Sequence, residues 1–238
     1  MSVITEIKYK YLLNKSYLRI CTGAKVRIGK NVKICNSRII VTSGSHMEIG
    51  DNVCIENSII SVVNGICTIC NNSIIGCTSN RLMFNIEQGE IHIGHHSKIN
   101  AFRFWVRFGG VISIGDYTNI NSGSEIRCDE SVSIGSFNQI SYDVNIWDTN
   151  THNILSREER RRVTISHYPY YGYEDRKPKT KKIKIGNDCW IGEKASILKG
   201  TLIGDDVIVG YNCLLSNNMI PNATIVVSKC SLDIRKRD

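Results

Sequence analysis

The chain has 238 residues, 42% of them hydrophobic, and a formal net charge of +8 at pH 7. This length and hydrophobic content can bury a substantial core, and the lack of any run of about 18 apolar residues excludes a membrane-spanning helix. Abundant Ile, Val, Asn and Gly with three prolines favour short strands joined by tight turns.

The N-terminal segment, residues 1–24, lacks a regular repeat. We expect it to cap the open end of the structure that follows, with a short amphipathic helix within residues 1–20. It also lacks the apolar core and small-residue cleavage site of a signal peptide. The sequence therefore predicts a cytoplasmic protein.

A repeat of six residues begins near residue 25. The dipeptide Ile-Gly occurs nine times, against about three occurrences expected by chance. A period of six fits neither a helix nor a hairpin, but it fits a short strand followed by a corner, and three such steps make one triangular coil. We predict an all-β parallel β-helix over residues 25–225, with about eight coils stacked to a height of roughly 40 Å. The steps are most regular near the end of the chain, at Ile185, Ile191, Ile197, Ile203, Val209 and Leu215.

The repeat is interrupted once, between Ile146 and Ile183. We predict that residues 147–182 leave the coils as a long loop excursion, a feature that is usually functional when it interrupts a rigid solenoid. Much of the positive charge of the chain lies here, interleaved with tyrosines. A polar, basic tail over residues 226–238 ends the chain, and we expect no second domain.

Of the ten cysteines, several are scattered through repeat positions, which favours reduced core residues over a disulfide framework. They are Cys54, Cys67, Cys128, Cys189 and Cys213. Cys67 and Cys70 have a CxxC spacing, but no second such pair and no paired histidines follow at a zinc-binding distance. We therefore expect no metal. No nucleic-acid-binding motif is present either.

With this repeat, the excursion NIWDTNTHNIL and the return KIKIGNDCWIGEKASILKG, the chain resembles the hexapeptide-repeat acyltransferases. Within that family it is most similar to sugar O-acetyltransferases that modify bacterial surface polysaccharides. The resemblance implies a left-handed β-helix, a homotrimer with active sites between neighbouring subunits, and acetyl-CoA as the donor. It implies an acceptor hydroxyl in a capsular polysaccharide, a lipopolysaccharide or a precursor.

The same resemblance assigns the catalytic positions to His152, on the excursion, and Trp190, on the first coil after it. A neutral imidazole suits the removal of a proton from a sugar hydroxyl. Asp148 or a backbone carbonyl is the candidate to orient the imidazole, because Asn150 occupies the position that is acidic in several relatives.

Further candidates follow from position. The resemblance places the donor near Trp190, along the last coils and beside the C-terminal tail, although the Gly-Asn-Pro-Ala-Lys segment common in the family is missing. The donor-binding candidates are Gly192, Ala195, Gly210, Lys229 and Arg235. Aromatic and basic residues around the histidine suit an anionic sugar or nucleotide-sugar, with Trp147, Arg160 and Tyr170 as examples.

Three alternatives remain open. An N-acetyltransferase of a nucleotide-linked amino sugar would use the same donor. A metalloenzyme similar to γ-type carbonic anhydrases is suggested by His92, His95 and His96, although their spacing differs from that family. A noncatalytic scaffold would keep the coils but have no need of the excursion and its histidine.

Overall fold

Three parallel sheets form the walls of the protein in the computed structural model, which describes residues 13–76, 81–170 and 174–229. The chain visits the three sheets in turn, so consecutive strands lie on different walls and each strand pairs with the strand one coil away. Among the described residues there are 28 strands, and the three sheets contain ten, nine and nine of them.

Sheet A contains β1 (Leu13–Asn14), β4 (Lys33–Cys35), β7 (Cys54–Glu56), β10 (Ile74–Ile75), β13 (Lys98–Ile99), β16 (Asn119–Ile120), β19 (Gln139–Ile140), β22 (Trp190–Ile191), β25 (Ile208–Val209) and β28 (Ile225–Val226). Sheet B contains β2 (Tyr17–Ile20), β5 (Arg38–Val41), β8 (Ser58–Val63), β11 (Leu82–Glu87), β14 (Arg103–Val106), β17 (Glu125–Cys128), β20 (Asn145–Trp147), β23 (Ser196–Leu198) and β26 (Leu214–Ser216). Sheet C contains β3 (Lys25–Ile28), β6 (His46–Ile49), β9 (Ile66–Ile69), β12 (Glu90–Ile93), β15 (Val111–Ile114), β18 (Ser131–Ile134), β21 (Ile183–Ile185), β24 (Leu202–Ile203) and β27 (Met219–Ile220).

The predicted parallel β-solenoid is confirmed by the strand register. On sheet C the last residue of each strand is an isoleucine that pairs with the isoleucine of the next coil, from Ile28 with Ile49 to Ile203 with Ile220. Alternate residues of each strand point inward and are buried, as expected where a sheet faces a core on one side. The core is a single aliphatic column that includes one stacked aromatic pair, Phe84 with Phe104.

Two details of the predicted repeat were wrong. The structure has about ten coils rather than eight. The coils already begin at Leu13, where β1 pairs with β4, so residues 13–24 belong to the solenoid and not to a cap. Residues 1–12 of the predicted cap and residues 230–238 of the predicted tail lie outside the described residues.

Several corners between sheets C and A contain an asparagine in the left-handed backbone region. Asn31, Asn52 and Asn72 have φ values of 55°, 59° and 62°, which asparagine tolerates better than most residues because its side chain bonds locally. Their amides also form a ladder along the solenoid axis, with Nδ2 to Oδ1 distances of 3.1 and 3.0 Å. Corner residues thus link the coils as well as turning the chain.

The excursion leaves sheet B after β20 and rejoins the coils at β21. It contains a helix, α1 (Arg157–His167), which the sequence analysis did not predict. Ser156 caps this helix in a capping box with Glu159, the Ser-x-x-Glu pattern that satisfies free N–H groups at a helix start. No residue of α1 is buried. Among the described residues, no helix has the length and apolar character needed to cross a membrane.

The two ends of the excursion are joined to each other at its base. Thr149 and Thr180 form an isolated antiparallel bridge. The amide of Lys181 donates to the carbonyl of Asp148 at 2.9 Å, and the amide of Asn150 donates to the carbonyl of Lys179 at 3.0 Å. These bonds hold the outgoing and returning chains side by side, so the residues just beyond the base occupy defined positions.

Candidate active site

His152 stands at the base of the excursion, where the backbone before it is held from three directions. Thr151 has a φ of 67° and its amide donates to Oγ1 of Thr149 at 3.0 Å. Its carbonyl accepts from Nη2 of Arg107 at 3.1 Å, and its Oγ1 accepts from Nη1 of Arg127 at 3.3 Å. The histidine therefore projects from a backbone fixed against sheet B.

Glu174, from the returning part of the excursion, is the hydrogen-bond partner of His152. Nδ1 of the imidazole lies 2.9 Å from Oε1 of Glu174, and the Glu174 side chain is only 9% exposed. Asn153 holds the other carboxylate oxygen, since its Nδ2 donates to Oε2 at 2.7 Å and to the carbonyl of Arg176 at 2.8 Å. The His152 side chain itself is 55% exposed.

This arrangement selects one form of the imidazole. An ionised carboxylate can only accept hydrogen bonds, so Nδ1 of His152 carries the proton that is shared with Glu174. In the neutral ring Nε2 is then the nitrogen with a free lone pair. A largely exposed imidazole with a carboxylate bonded to Nδ1 is the arrangement expected of a general base.

The prediction that Asp148 orients the histidine was wrong. The Asp148 side chain is fully buried, and its two oxygens accept hydrogen bonds from the amides of Asp129, Glu130 and Ser131 at 2.6–2.8 Å. Burial raises the pKa of this carboxyl, and the three N–H donors partly oppose that rise. Asp148 thus anchors the start of the excursion to the turn after β17 and has no bond to His152.

A row of arginine and tryptophan side chains lies on the outer face of sheet B below the histidine. Arg107 is bidentate with Asp129, with Nε to Oδ1 at 3.0 Å and Nη2 to Oδ2 at 2.8 Å, and both residues are buried. The Arg107 guanidinium also lies 4.3 Å from the ring centre of Trp105. Breaking a buried ion pair would leave an uncompensated charge, so the pair is costly to separate. The Arg107 guanidinium therefore keeps a fixed position from which it bonds to the carbonyl of Thr151.

A pocket of about 610 Å³ opens between this row and the excursion. Its walls include Trp105 and Phe108, which are aromatic, and Glu87 and Gln88, which are polar and exposed. Glu174 also lines it, so the pocket adjoins the partner of the candidate base. The volume falls within the range of small-molecule sites, which is about 300–1,000 Å³.

Trp190 lies elsewhere in the same chain. It is on β22 of sheet A, points outward and is 56% exposed, while Ile191 next to it is buried. His152 follows β20 of sheet B. The described residues of one chain therefore do not bring Trp190 and His152 onto the same wall.

The other donor-binding candidates have different surroundings. Gly192 and Gly210 occupy corners where an added Cβ would lie 2.7 Å from the carbonyl oxygen of Val209 and 3.2 Å from that of Val226. The Ala195 side chain is fully buried, so the predicted contact with the donor would have to be made by its backbone. Lys229 is exposed, and Arg235 lies outside the described residues.

The three acceptor-binding candidates are not brought together by direct contacts. Arg160 is exposed on α1 and Tyr170 is 76% exposed beyond its end. Trp147 is half-buried under the guanidinium of Arg127, 4.1 Å from its ring centre, and the indole Nε1 is buried without a hydrogen-bond partner in the part of the chain that is described. Trp147 therefore packs within the row on sheet B.

The histidines and cysteines that prompted a metal search have other partners. Nε2 of His92 lies 2.7 Å from Glu90, and Nε2 of His96 lies 3.1 Å from the amide of Asn72. Cys67 is buried in the core, and burial raises the pKa of its thiol to about 12. Within residues 13–76, 81–170 and 174–229, no group of three potential metal ligands is found.

A family model described as bacterial transferase hexapeptide (six repeats) matches residues 182–217. This match confirms the predicted hexapeptide repeat.

Two relatives and one solved structure extend the comparison. WbbJ of Escherichia coli strain K12, named as a lipopolysaccharide biosynthesis O-acetyl transferase, is 31% identical over 127 residues, which are 53% of this chain and 61% of WbbJ. A chloramphenicol acetyltransferase of Morganella morganii is 42% identical over 53 residues, 22% of this chain and 25% of that protein. The crystal structure of the polySia specific acetyltransferase NeuO covers 90% of this chain and 82% of its own, with a TM-score of 0.52 and 20% identity.

All three proteins are named as acetyltransferases, and the matches confirm the resemblance to hexapeptide-repeat acyltransferases. The likeness to NeuO shows a shared fold. The chain spans less than two thirds of the length of the curated relatives that it matches.

Three features of the site were not predicted from the sequence: Glu174, Asn153 and the Arg107–Asp129 pair. Glu174 is 22 residues beyond His152, and Asp129 is 22 residues beyond Arg107. The second pair follows a rule that could have been used, because residues about one coil apart lie next to each other on the outer face of a solenoid wall. No comparable signal marks Glu174, since it lies in the excursion, where the repeat does not apply.

Proposed function

We propose that this chain is an acetyl-CoA-dependent O-acetyltransferase that modifies a sugar hydroxyl of a bacterial cell-surface polysaccharide, in a capsule or lipopolysaccharide, or of its precursor. The observation that carries the proposal is the His152–Glu174 pair, in which the histidine side chain is 55% exposed and the glutamate lines a pocket with aromatic and polar walls. The names of WbbJ and NeuO support the class of reaction.

In this proposal His152 is the general base. A sugar hydroxyl is a weak nucleophile, and its attack on a thioester requires that its proton leaves. Nε2 takes that proton as the sugar oxygen bonds to the acetyl carbon, and the proton then passes to the departing thiol. Glu174 stabilises the imidazolium that forms between these two steps, because its carboxylate remains bonded to Nδ1.

Acetyl-CoA supplies the acetyl group when it is bound. The residues available to hold it are on the coils after the excursion, where Gly192 and Gly210 leave two successive corners without side chains. The exposed ring of Trp190 and the exposed Lys229 lie on the same part of the chain. A corner without side chains suits the close approach of an extended ligand to the backbone.

We also propose a left-handed solenoid that assembles as a homotrimer. Trp190 is on sheet A, whereas His152 follows sheet B. Both residues can serve one reaction if they come from neighbouring subunits that enclose a cleft. Because the proposed donor is acetyl-CoA, we also propose that the reaction takes place in the cytoplasm.

The proposal is tested with His152→Ala. With labelled acetyl-CoA and a panel of sugars and polysaccharides, the wild type should form an acetyl ester and the variant should lose about 10²–10⁴-fold in kcat. Affinity for coenzyme A should remain, because His152 does not hold the donor in this scheme.

The matched control is His95→Ala, since His95 is exposed at a corner far along the solenoid surface. Activity of His152→Ala close to that of the control would contradict the proposal. A product that resists mild alkali would indicate an amide and favour N-acetylation of an amino sugar.

A further inference from the structure

The pocket beside His152 contains more carboxylates than available cations. Glu87 and Glu174 are part of its wall, and the one cationic side chain of that wall in the described residues is Arg107. The Arg107 guanidinium is already bidentate with the buried carboxylate of Asp129 and bonded to the carbonyl of Thr151. The balance of charge at this wall is therefore negative.

The two neighbouring arginines, Arg103 and Arg127, share one carboxylate, that of Glu125. Arg103 and Arg127 lie near the ring of Trp105, at 4.9 and 5.9 Å from its centre. Nε of Arg103 donates to Oε1 of Glu125 at 2.6 Å, and Nε of Arg127 donates to Oε2 at 2.9 Å. Glu125 is buried between them. The three arginines of the row thus bond to two carboxylates, those of Glu125 and Asp129, and neither Arg103 nor Arg127 lines the pocket.

A ligand carboxylate in this pocket would meet the carboxylates of Glu87 and Glu174, whereas Arg107, the cationic side chain among the described lining residues, is already bonded to Asp129. Like charges placed together oppose binding, and the effect grows as solvent is excluded. Glu87 is exposed at the pocket wall, and an ionised carboxylate accepts hydrogen bonds but cannot donate them. The chemistry that satisfies it is a donor without negative charge, such as the hydroxyl groups of a sugar.

The remaining wall suits the apolar face of such a sugar. Trp105 and Phe108 are half-buried and line the same pocket, and aromatic rings with polar groups beside them are typical of small-molecule sites. Gln88 adds an amide that can both donate and accept.

We propose that this pocket binds an uncharged pyranose ring of the acceptor and discriminates against acidic sugars. The inference rests on the proposed function, because it names the acceptor class of the same reaction. It differs from the expectation, drawn from the basic run of the excursion, that the acceptor is anionic. Those bases include the arginines of α1, which are exposed on a helix with no buried residue.

The test measures binding without catalysis. Methyl glucopyranoside and methyl glucopyranosiduronate, which differ in charge at one carbon, are titrated against the full chain by saturation-transfer NMR. The neutral sugar should bind at least about tenfold more tightly, as expected for a partly screened like-charge contact. Glu87→Lys should reduce this ratio by about tenfold or reverse it, and Glu87→Gln should reduce it less.

The control is Glu48→Lys, because Glu48 is on sheet C and is paired with Arg27 away from the pocket. It should leave the ratio unchanged. Equal affinity for the two sugars, tighter binding of the acidic sugar, or no binding of either would overturn the inference. If Glu87→Lys does not fold, Glu87→Gln supplies the comparison.

Failure of the inference and failure of the proposed function give different results. If acetyl transfer to sugars is found but acidic sugars bind and react best, the acceptor class is wrong and the O-acetyltransferase proposal stands. If the neutral sugar binds as expected but no sugar is acetylated from acetyl-CoA, the pocket is a sugar site and the proposed reaction is wrong.

Discussion

The substitution Glu174→Gln tests whether the carboxylate selects the proton position on His152. Glutamine has nearly the same shape as glutamate, but one of its two acceptors becomes an NH₂ donor. Glu174 accepts from Nδ1 of His152 through Oε1 and from Nδ2 of Asn153 through Oε2, at 2.9 and 2.7 Å. Glutamine cannot accept at both positions.

The orientation of the glutamine is set by Asn153. Its Nδ2 also donates to the carbonyl of Arg176 at 2.8 Å, so the Asn153 amide cannot rotate to offer its oxygen instead. Glutamine at position 174 should therefore turn its oxygen to Asn153 and its NH₂ group to Nδ1 of His152. Nδ1 would then accept, and the proton would move to Nε2, the nitrogen that must act as the base.

The size of the effect follows from these bonds. The opposite orientation of the glutamine would lose the bond to Asn153 and leave two donors facing each other, at a cost of about 2–4 kcal/mol. Since about 1.4 kcal/mol corresponds to a factor of ten, the competent form would be reduced to a few per cent or less. We expect kcat to fall by about 30–1,000-fold with the fold unchanged.

The assay is acetyl transfer at saturating acetyl-CoA, together with ¹⁵N NMR of the imidazole to locate the proton. Glu158→Gln, on the exposed surface of α1, is the matched control. Adding Asn153→Ala to Glu174→Gln should restore about tenfold of the lost activity, because it removes one donor that constrains the glutamine. A Glu174→Gln enzyme within threefold of the wild type, with the proton still on Nδ1, would refute this reasoning.

Two further predictions concern residues that the sequence had placed in the site. Asp148→Asn should lower the free energy of unfolding by about 1–3 kcal/mol, because an amide must face at least one of the three N–H donors with its NH₂ group. Urea unfolding measures this change, and an unchanged midpoint would contradict the anchoring role of Asp148. Trp147→Phe should leave stability within about 1 kcal/mol and activity within a few-fold, because the indole N–H that it removes has no partner among the described residues and an aromatic ring next to Arg127 remains. A large loss of acceptor affinity in this variant would show instead that Trp147 contacts the sugar.

Much of the solenoid could be predicted from the sequence because its contacts are local and periodic. An isoleucine at the end of each sheet C strand pairs with the isoleucine one coil away, so a spacing in the sequence is repeated directly as a spacing in space. The first coil could not be predicted from this spacing. β1 and β2 contain too few regular residues to mark a coil, and their place is decided by pairing with β4 and β5.

The excursion could be predicted only in part. Its boundaries were visible as a break in the repeat, but α1 was missed although Ser156 and Glu159 form a recognisable capping box. Asp148 was close to His152 in sequence and was therefore expected to orient it. The fold instead turns that side chain into the interior, where the amides of the preceding coil satisfy it.

The sequence by itself determined that this protein is a stack of coils with one interruption, and that His152 lies on that interruption, because a period of six leaves no other regular structure. The tertiary structure alone decided what surrounds the histidine. Glu174 reaches it from 22 residues further along a non-repeating segment, and Arg107 supports it from two coils below. Such contacts depend on how the excursion folds back over sheet B, and no spacing in the sequence encodes that path.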